Sequence, residues 1–285
     1  MRNKSGKMMK HLIRLSDWDK HDARQVFQMA DALRAGKYPK VLEGQTVVLF
    51  FPESSIRTRV TFERGIHLLG GQSILFPPSA LDKKEDLRDV EGYLSNWAAA
   101  LVVRHKHIAV TERLAEHADI PVINAMTDIN HPCEVLSDCY ALSKMYGDIA
   151  KLNILFVGAG GNIGLAWKEA ADLFGFDLAQ SCPPPYAMEG VRQIPDLRQA
   201  AAGRNVICTD SLTPDKLPDF ADYQVTSDIM RLTDNGILNP CPPFYRGEEV
   251  SAEVLESQEE YFVNYDFKSC LMEVQQAVLL YCLGL

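Results

Sequence analysis

The sequence lacks any long hydrophobic run: across its 285 residues, no apolar stretch reaches the roughly 18 residues that would suggest a membrane-spanning helix. It also lacks an excess of positive charge, because 29 Lys and Arg are outnumbered by 38 Asp and Glu, giving a net charge of −9. This balance argues against a general nucleic-acid or membrane surface. The N-terminal segment is basic, but no apolar segment of signal-peptide length follows it. We therefore expect a cytoplasmic protein whose clustered Lys and Arg bind a small anion.

Paired cysteines are absent as well. The 7 cysteines are scattered, with no CxxC pair and no metal-finger spacing. Such a pattern is typical of reduced thiols in the cytosol, so we expect no metal site and no cofactor. No internal repeat or low-complexity tract is evident.

What is present is an alternation of short apolar runs with amphipathic ones. This alternation predicts an α/β protein in which helices wrap a parallel sheet, and the length allows two such domains. The strands expected in the first half are Thr46–Phe50, Gln72–Phe76, 101–103 and 122–124, and those in the second half are Asn153–Val157, 206–208 and 224–226. The main expected helices are one that begins at a capping box over residues 16–19, Pro132–Tyr146, 165–174 after a glycine-rich turn, and 270–283.

The segment from Val47 to Glu63 predicts a strand, a Pro/Ser turn and the start of a helix. Ser55, Arg57 and Thr58 fall where the first backbone N–H groups of that helix are unpaired, which suits a phosphate. A simpler interpretation is that a serine only caps the helix while its arginines face solvent. Spacing alone leaves both interpretations open.

The motif Ser55-Ile56-Arg57-Thr58-Arg59 resembles the Ser-Thr-Arg-Thr-Arg carbamoyl-phosphate loop of the aspartate and ornithine carbamoyltransferases. Further blocks fall in the family's order over nearly the whole chain. They are Ser79 with Lys83-Lys84, Val102-Val103-Arg104-His105, His131-Pro132-Cys133-Glu134, Val157-Gly158-Ala159-Gly160, Asn239-Pro240-Cys241-Pro242 and Arg246-Gly247-Glu248-Glu249-Val250.

The resemblance implies two domains, each a parallel sheet covered by helices, joined by bridging helices. Residues 1–131 would bind carbamoyl phosphate, and a C-terminal helix within 270–285 would pack back on them. Residues 132–269 would bind the amine-bearing second substrate. The family also implies a homotrimer with shared active sites.

The family motifs assign roles within the first domain. Ser55, Ile56, Arg57 and Thr58 would grip the phosphate through side chains and backbone N–H groups. Arg104 would reach the phosphate and the carbonyl oxygen, and the alternative for it is a structural ion pair. His131 would donate to the carbonyl oxygen, and its alternative is a helix cap or a packed polar residue.

Two further segments carry weaker local signals. Ser79 and Lys84, or Lys83, would enter the site of a neighbouring subunit, although the surrounding charge run is otherwise typical of a solvated surface. Cys241 would offer backbone carbonyls of its segment to the carbamoyl NH₂ group. A nucleophilic role for its thiol is the less favoured interpretation, because no histidine is near it in sequence.

The second substrate is less well defined. Asn162 and Asp210 match positions that hold the amino-acid backbone in the ornithine enzymes, and Glu134 could bind an amino group. The arginines with which the aspartate enzymes hold a carboxylate are missing, so an ornithine-like amine is favoured over aspartate. The Ser-Met-Gly motif of the ornithine enzymes is also missing, because residues 213–216 are Thr-Pro-Asp-Lys.

Three departures from the family leave two other functions open. Ile56 replaces a Thr, Glu134 replaces a Gln, and Leu271 stands where the ornithine enzymes have Arg. These changes allow a catalytically silent paralogue with a binding or regulatory role. The turn at Gly158 and Gly160 follows a strand and allows an NAD-dependent dehydrogenase, although its third glycine comes one residue late at Gly164.

Overall fold

The structure is a computed structural model that describes residues 9–37, 40–257 and 261–285. The described residues form two compact units. One runs up to Tyr140 and includes Cys270–Leu285, and the other is Ala141–Ser269. Most of the basic N-terminal segment lies outside the described residues.

The first unit contains a parallel sheet of four strands in the order β2-β1-β3-β4. The strands are β1 Thr46–Phe50, β2 Gln72–Phe76, β3 Ala100–Arg104 and β4 Val122–Met126. β1 and β3 are central and almost wholly buried, as their β-branched and apolar residues predict, whereas β2 is an edge strand with mostly exposed side chains. The pairing of β3 with β4 shifts register between Val103 and Arg104, directly at the end of the strand.

Helices connect these strands. They are α1 Lys20–Arg34, α2 Ile56–Leu68, α3 Leu87–Leu94 and α4 Ile108–Glu116, followed by α5 Pro132–Tyr146, which crosses the boundary between the units. Alternate residues of the central strands, such as Val48 and Val103, form a core with Leu87 of α3 and with Ile108 and Leu114 of α4. Parallel strands need such crossovers, so their carboxyl ends meet at one edge of the sheet.

The second unit has a five-stranded parallel sheet in the order β7-β6-β5-β8-β9. The strands are β5 Asn153–Val157, β6 Asp177–Ser181, β7 Arg192–Gln193, β8 Val206–Thr209 and β9 Ile237–Pro240. The helices are α6 Asn162–Phe174, α7 Leu197–Ala201, α8 Ser227–Met230, α9 Ala252–Glu256 and α10 Asn264–Lys268. Leu155, Ile207 and Leu238 from three adjacent strands form the centre of its main core.

The last helix, α11 Leu271–Leu283, belongs to the first unit and packs against α1 and α2. Its apolar residues are buried, including Val274 and Val278. The Gln276 side chain donates to the carbonyl of Gly65 on α2 at 2.9 Å, and a Cβ on Gly65 would lie only 2.9 Å from Gln276. A small residue at this crossing therefore lets the two helices approach closely.

Most expected elements are confirmed, but three are wrong. Residues 224–226 form no strand, and only Val225 makes an isolated bridge, to Val250. α1 starts after Asp19, whose carboxylate accepts from the Asp22 N–H, and residues 15–17 form a 3-10 turn instead of the predicted capping box. α6 already begins at Asn162, so the glycine turn is shorter than predicted.

All seven cysteines lie within the described residues, where they are buried and form no disulfide bond. Burial raises the pKa of Cys182 to about 11, and burial also raises the pKa values of Cys133 and Cys282 well above the usual thiol range. These side chains therefore behave as small apolar core residues.

No helix in the described ranges combines the length and apolar character that crossing a membrane requires.

Candidate functional site

The loop between β1 and α2 turns sharply at the carboxyl edge of the first sheet. The Ser55 N–H donates to the Pro52 carbonyl at 3.0 Å, and Ser55 is the N-cap residue of α2. Its side chain is buried yet makes no capping bond to its own helix. The loop therefore places a hydroxyl and the amino end of a helix at the same point.

Arg104 completes this corner of the sheet. Its Nη1 donates to Ser55 Oγ at 3.0 Å, although 49 residues separate them in sequence. Arg104 is partly buried and lines an open cavity of about 380 Å³, together with Pro52, Met126 and Thr127. A cation thus lies beside a helix amino end at a water-accessible cavity, an arrangement that suits an anion.

The other residues of the predicted phosphate loop differ in exposure. Thr58 is buried, whereas Arg57 is exposed and Ile56 is 62% exposed. Arg57 lies outside the described lining of the 380 Å³ cavity. Arg59 forms an ion pair with Glu63, one helical turn away, at 2.7 Å. The structure therefore brings Ser55 and Arg104 together, while Arg57, the second residue of α2, is exposed to solvent.

A tight turn after β4 leads to His131, the residue directly before α5. The Thr127 N–H donates to the Asn130 carbonyl at 2.8 Å, and the Asn130 N–H donates back to Thr127 Oγ1 at 3.2 Å. His131 and Glu134 are both buried. The pKa of the neighbouring Cys133 is raised by burial first and then by the charge of Glu134, so this thiol is not an activated nucleophile.

Ser79 and Lys84 lie in the segment between β2 and α3. Ser79 belongs to a 3-10 turn, Pro78–Leu81, and its side chain is exposed, as are those of Lys83 and Lys84. Leu81 at the end of this turn is buried in the core of the first unit. The segment between β2 and α3 is thus anchored by a buried leucine, while Ser79, Lys83 and Lys84 are exposed to solvent.

Asn162, Asp210 and Cys241 occupy the carboxyl edge of the second sheet. They follow β5, β8 and β9, which are adjacent in that order. Asp210 accepts the Ser211 N–H at 2.9 Å, and the Cys241 N–H donates to the Thr209 carbonyl at 2.9 Å. These three residues therefore share one edge, which is where parallel sheets bind ligands.

The glycine turn after β5 is covered by the chain itself. The Gly160 N–H donates to the Tyr186 carbonyl at 2.8 Å, and a Cβ on Gly164 would lie 2.8 Å from Met188 Sδ. Buried Gln180 ties this arrangement together, because its Nε2 donates to the Gly158 carbonyl and its Oε1 accepts the Met188 N–H. The glycines thus accommodate residues 186–188, which is a different use from cradling a dinucleotide pyrophosphate.

Sequence reasoning missed several residues of the first edge. Thr127 and Asp128 line the cavity next to Arg104, and so do Asp82 and His105. Thr127 and Asp128 come directly after β4, the neighbour of β3, so their position behind a predicted strand was the available signal. The approach of Asp82 to His105 had no such signal, because 23 residues separate them.

Comparison with known proteins finds similarity over nearly the whole chain. The model of the aspartate/ornithine carbamoyltransferase carbamoyl-P binding domain matches residues 10–144, and that of the Asp/Orn binding domain matches residues 150–282. A protein named ornithine carbamoyltransferase from Desulfotalea psychrophila is 33% identical over 305 aligned residues, covering 97% of this chain and 100% of that protein. A relative with the same name from Methylococcus capsulatus is 34% identical over 292 residues, covering 95% of this chain and 97% of its own.

Solved structures have the same two-domain fold. Ornithine carbamoyltransferase from Pyrococcus furiosus superposes with a TM-score of 0.90 at 26% identity, covering 96% of this chain and 97% of its own. The Thermus thermophilus enzyme gives 0.89 at 28% identity, covering 97% and 99%. Both family domains in order, the shared fold and these relatives together show that the chain belongs to the aspartate/ornithine carbamoyltransferase family.

Proposed function

We propose that the protein transfers the carbamoyl group of carbamoyl phosphate to the amine of a small, ornithine-like metabolite. The first unit would bind carbamoyl phosphate and the second would supply the acceptor site. The observation that carries this proposal is the hydrogen bond from Arg104 to Ser55 at the amino end of α2, beside an open cavity. Relatives named ornithine carbamoyltransferase support the choice of acceptor.

The reaction makes modest demands on a protein. The neutral amine attacks the carbonyl carbon, a tetrahedral intermediate forms, and the C–O bond to phosphate breaks. The new C–N bond joins the carbamoyl group to the acceptor. The acceptor nitrogen loses a proton, and the leaving phosphate is the nearest base that can take it. Catalysis therefore depends on holding the phosphate, stabilising the oxyanion and orienting the amine.

Residues of the first unit would perform the first two tasks. Ser55, Arg57 and Thr58, with the N–H groups of the first turn of α2, would hold the phosphate. The Ile56 N–H already donates to the Ser54 carbonyl at 2.9 Å. Arg104 would donate to phosphate and carbonyl oxygen, and His131 would donate to the oxyanion. The Ile56 side chain faces solvent, so the missing threonine hydroxyl removes one donor, a loss on the order of 1 kcal/mol.

Residues of the second unit would bind the acceptor. Asn162 and Asp210 lie at the carboxyl edge of adjacent strands, and the carboxylate of Asp210 suits a positively charged amino group. Carbonyls of the Cys241 segment would accept hydrogen bonds from the carbamoyl NH₂ group. Glu134, which belongs to the first unit at the start of α5, is proposed as a second carboxylate for an amine, which favours a cationic acceptor over aspartate.

We also propose a homotrimer in which Ser79 and Lys84 enter the active site of the adjacent copy. The exposed edge strand β2 supports an interface, because Ile74 is 47% and Phe76 39% exposed. α2 packs against β2 and exposes Val60 as well. A reducing cytosol is the compartment we propose, since the seven cysteines, all within the described residues, form no disulfide bond.

The test is a panel of amines incubated with carbamoyl phosphate, with phosphate release and carbamoylated product measured together. Arg104→Ala and Arg57→Ala are expected to lower kcat/KM at least tenfold, because each removes a charge-assisted contact worth roughly 1.5–3 kcal/mol. Arg59→Ala is the matched control, because Arg59 lies on the same helix but is paired with Glu63. Equal activity of all three variants would refute the site, and binding of carbamoyl phosphate without turnover on any amine would favour a silent paralogue.

A further inference from the structure

The residue after Arg104 holds the segment that carries Ser79 and Lys84. His105 is buried, and its Nε2 lies 2.9 Å from Oδ1 of Asp82. Asp82 directly follows the 3-10 turn that contains Ser79, and Lys84 is two residues further on. A buried side chain at the end of β3 therefore contacts an otherwise exposed segment.

The backbone around His105 fixes the direction of this hydrogen bond. The N–H of His107 donates to Nδ1 of His105 at 3.0 Å. The His107 carbonyl oxygen lies farther from the same nitrogen, at 3.3 Å, so we assign Nδ1 as the acceptor, which puts the ring proton on Nε2, where it is donated to Asp82. The imidazole is thereby oriented to hold a carboxylate in one place.

The same segment has two further attachments. Leu81 is buried in the core of the first unit. Asp86 accepts the Arg88 N–H at 3.0 Å at the start of α3, and Arg113 of α4 donates to it at 3.3 Å. Between Asp82 and Asp86 only three residues remain, and all three are exposed. The position of Lys84 is thus set by the two carboxylates on either side of it.

We propose that His105 is a positioning residue that presents Lys84, through Asp82, to the active site of an adjacent copy of the chain. Arg104 then serves the site of its own copy, while the next residue serves the neighbour's site. This inference rests on the proposed carbamoyl transfer and on the proposed sharing of sites between copies. It adds His105 and Asp82, as residues that act through Lys84, to those on which the rate depends.

Two substitutions separate positioning from simple packing. The amide nitrogen of His105→Gln takes the place of Nε2 and retains a donor to Asp82, whereas the shorter side chain of His105→Asn reproduces only Nδ1. We expect kcat/KM to fall about tenfold in His105→Asn and Asp82→Ala, with His105→Gln within threefold of wild type, since the hydrogen bond between residues 105 and 82 is lost only in the first two. His117→Asn, on an exposed histidine at the end of α4, is the control and should be silent.

Mixed oligomers then test which site His105 serves. Each variant is denatured and renatured together with a partner variant, and activity is compared with the separately treated variants. Arg104→Ala mixed with Lys84→Ala should regain activity, because a hybrid contains some sites with both residues intact. His105→Asn should regain activity when mixed with Arg104→Ala, and should gain none with Lys84→Ala.

The outcomes separate this inference from the proposed function. Absence of carbamoyl transfer by the wild type overturns both. Activity without recovery in the Arg104→Ala and Lys84→Ala mixture overturns site sharing and this inference with it. Two outcomes overturn this inference alone. The first is recovery in that mixture combined with recovery of His105→Asn by Lys84→Ala instead of by Arg104→Ala. The second is a His105→Gln variant that folds as well as His105→Asn and is equally impaired in activity.

Discussion

Ser55→Ala is the sharpest single test of the phosphate site. Ser55 is an N-cap residue that does not cap, because its Oγ accepts a hydrogen bond from Arg104 instead of from its own helix. Removing the hydroxyl therefore releases the guanidinium without withdrawing a bond from α2. We expect a loss of activity with little loss of stability.

The size of the effect follows from the contacts. A hydrogen bond to a charged group contributes roughly 1.5–3 kcal/mol, and the partial burial of Arg104 places this one near the lower end. About 1.5 kcal/mol corresponds to about a tenfold fall in kcat/KM for carbamoyl phosphate. If the hydroxyl also donates to the phosphate in the bound state, the combined loss approaches roughly 3 kcal/mol, or about a hundredfold.

Steady-state kinetics and urea denaturation should be measured on the same preparations. Ser251→Ala is the matched control, because Ser251 caps α9 by accepting the Val254 N–H at 3.4 Å. That variant should lose about 1 kcal/mol of unfolding free energy and keep its activity. A Ser55→Ala enzyme within twofold of wild type, or one whose activity falls only in proportion to its stability, would refute the reasoning.

Two further predictions concern stability. Gly164→Ala should lower the unfolding free energy by about 1 kcal/mol, because the clash of its Cβ with Met188 at 2.8 Å exceeds the gain in helix propensity. Gly92→Ala on α3, with open space around it, should instead raise the unfolding free energy. Thermal denaturation of both variants compares the steric clash with the gain in helix propensity. Burial raises the pKa of Glu249, so the folded protein holds that proton more tightly and wild-type stability declines as pH rises above the ordinary glutamate range. Glu249→Gln should remove this decline in urea denaturation between pH 4.5 and 8, and an unchanged slope would contradict it.

The sheets were predictable because their strands are short apolar runs between amphipathic ones. Thr46–Phe50 and Asn153–Val157 match the predicted bounds, since burial on both faces leaves a continuous apolar sequence. The strand predicted over residues 224–226 does not form, because only Val225 pairs, in a single bridge to Val250, and tertiary packing overrides the β propensity of the other residues.

The candidate site was predictable only in part, for a different reason. Ser55 and Arg104 each follow a strand, so a parallel sheet alone brings them to one edge. The bond between Asp82 and His105 depends on the path of a surface segment, which leaves no periodic signal. The prediction of Arg57 and Lys84 as ligands rests on the family motif, because both side chains are exposed.

Because every cysteine is buried, the rate at which the cysteines are alkylated measures unfolding of the protein. A thiolate reacts with alkylating reagents, and these thiols are both covered and held in the protonated form, as in Cys133, Cys182 and Cys282. Labelling of the native enzyme therefore requires local or global unfolding. Because Cys133, Cys270 and Cys282 lie in one unit and Cys182, Cys208 and Cys241 in the other, the order in which they are modified shows which half of the chain unfolds first.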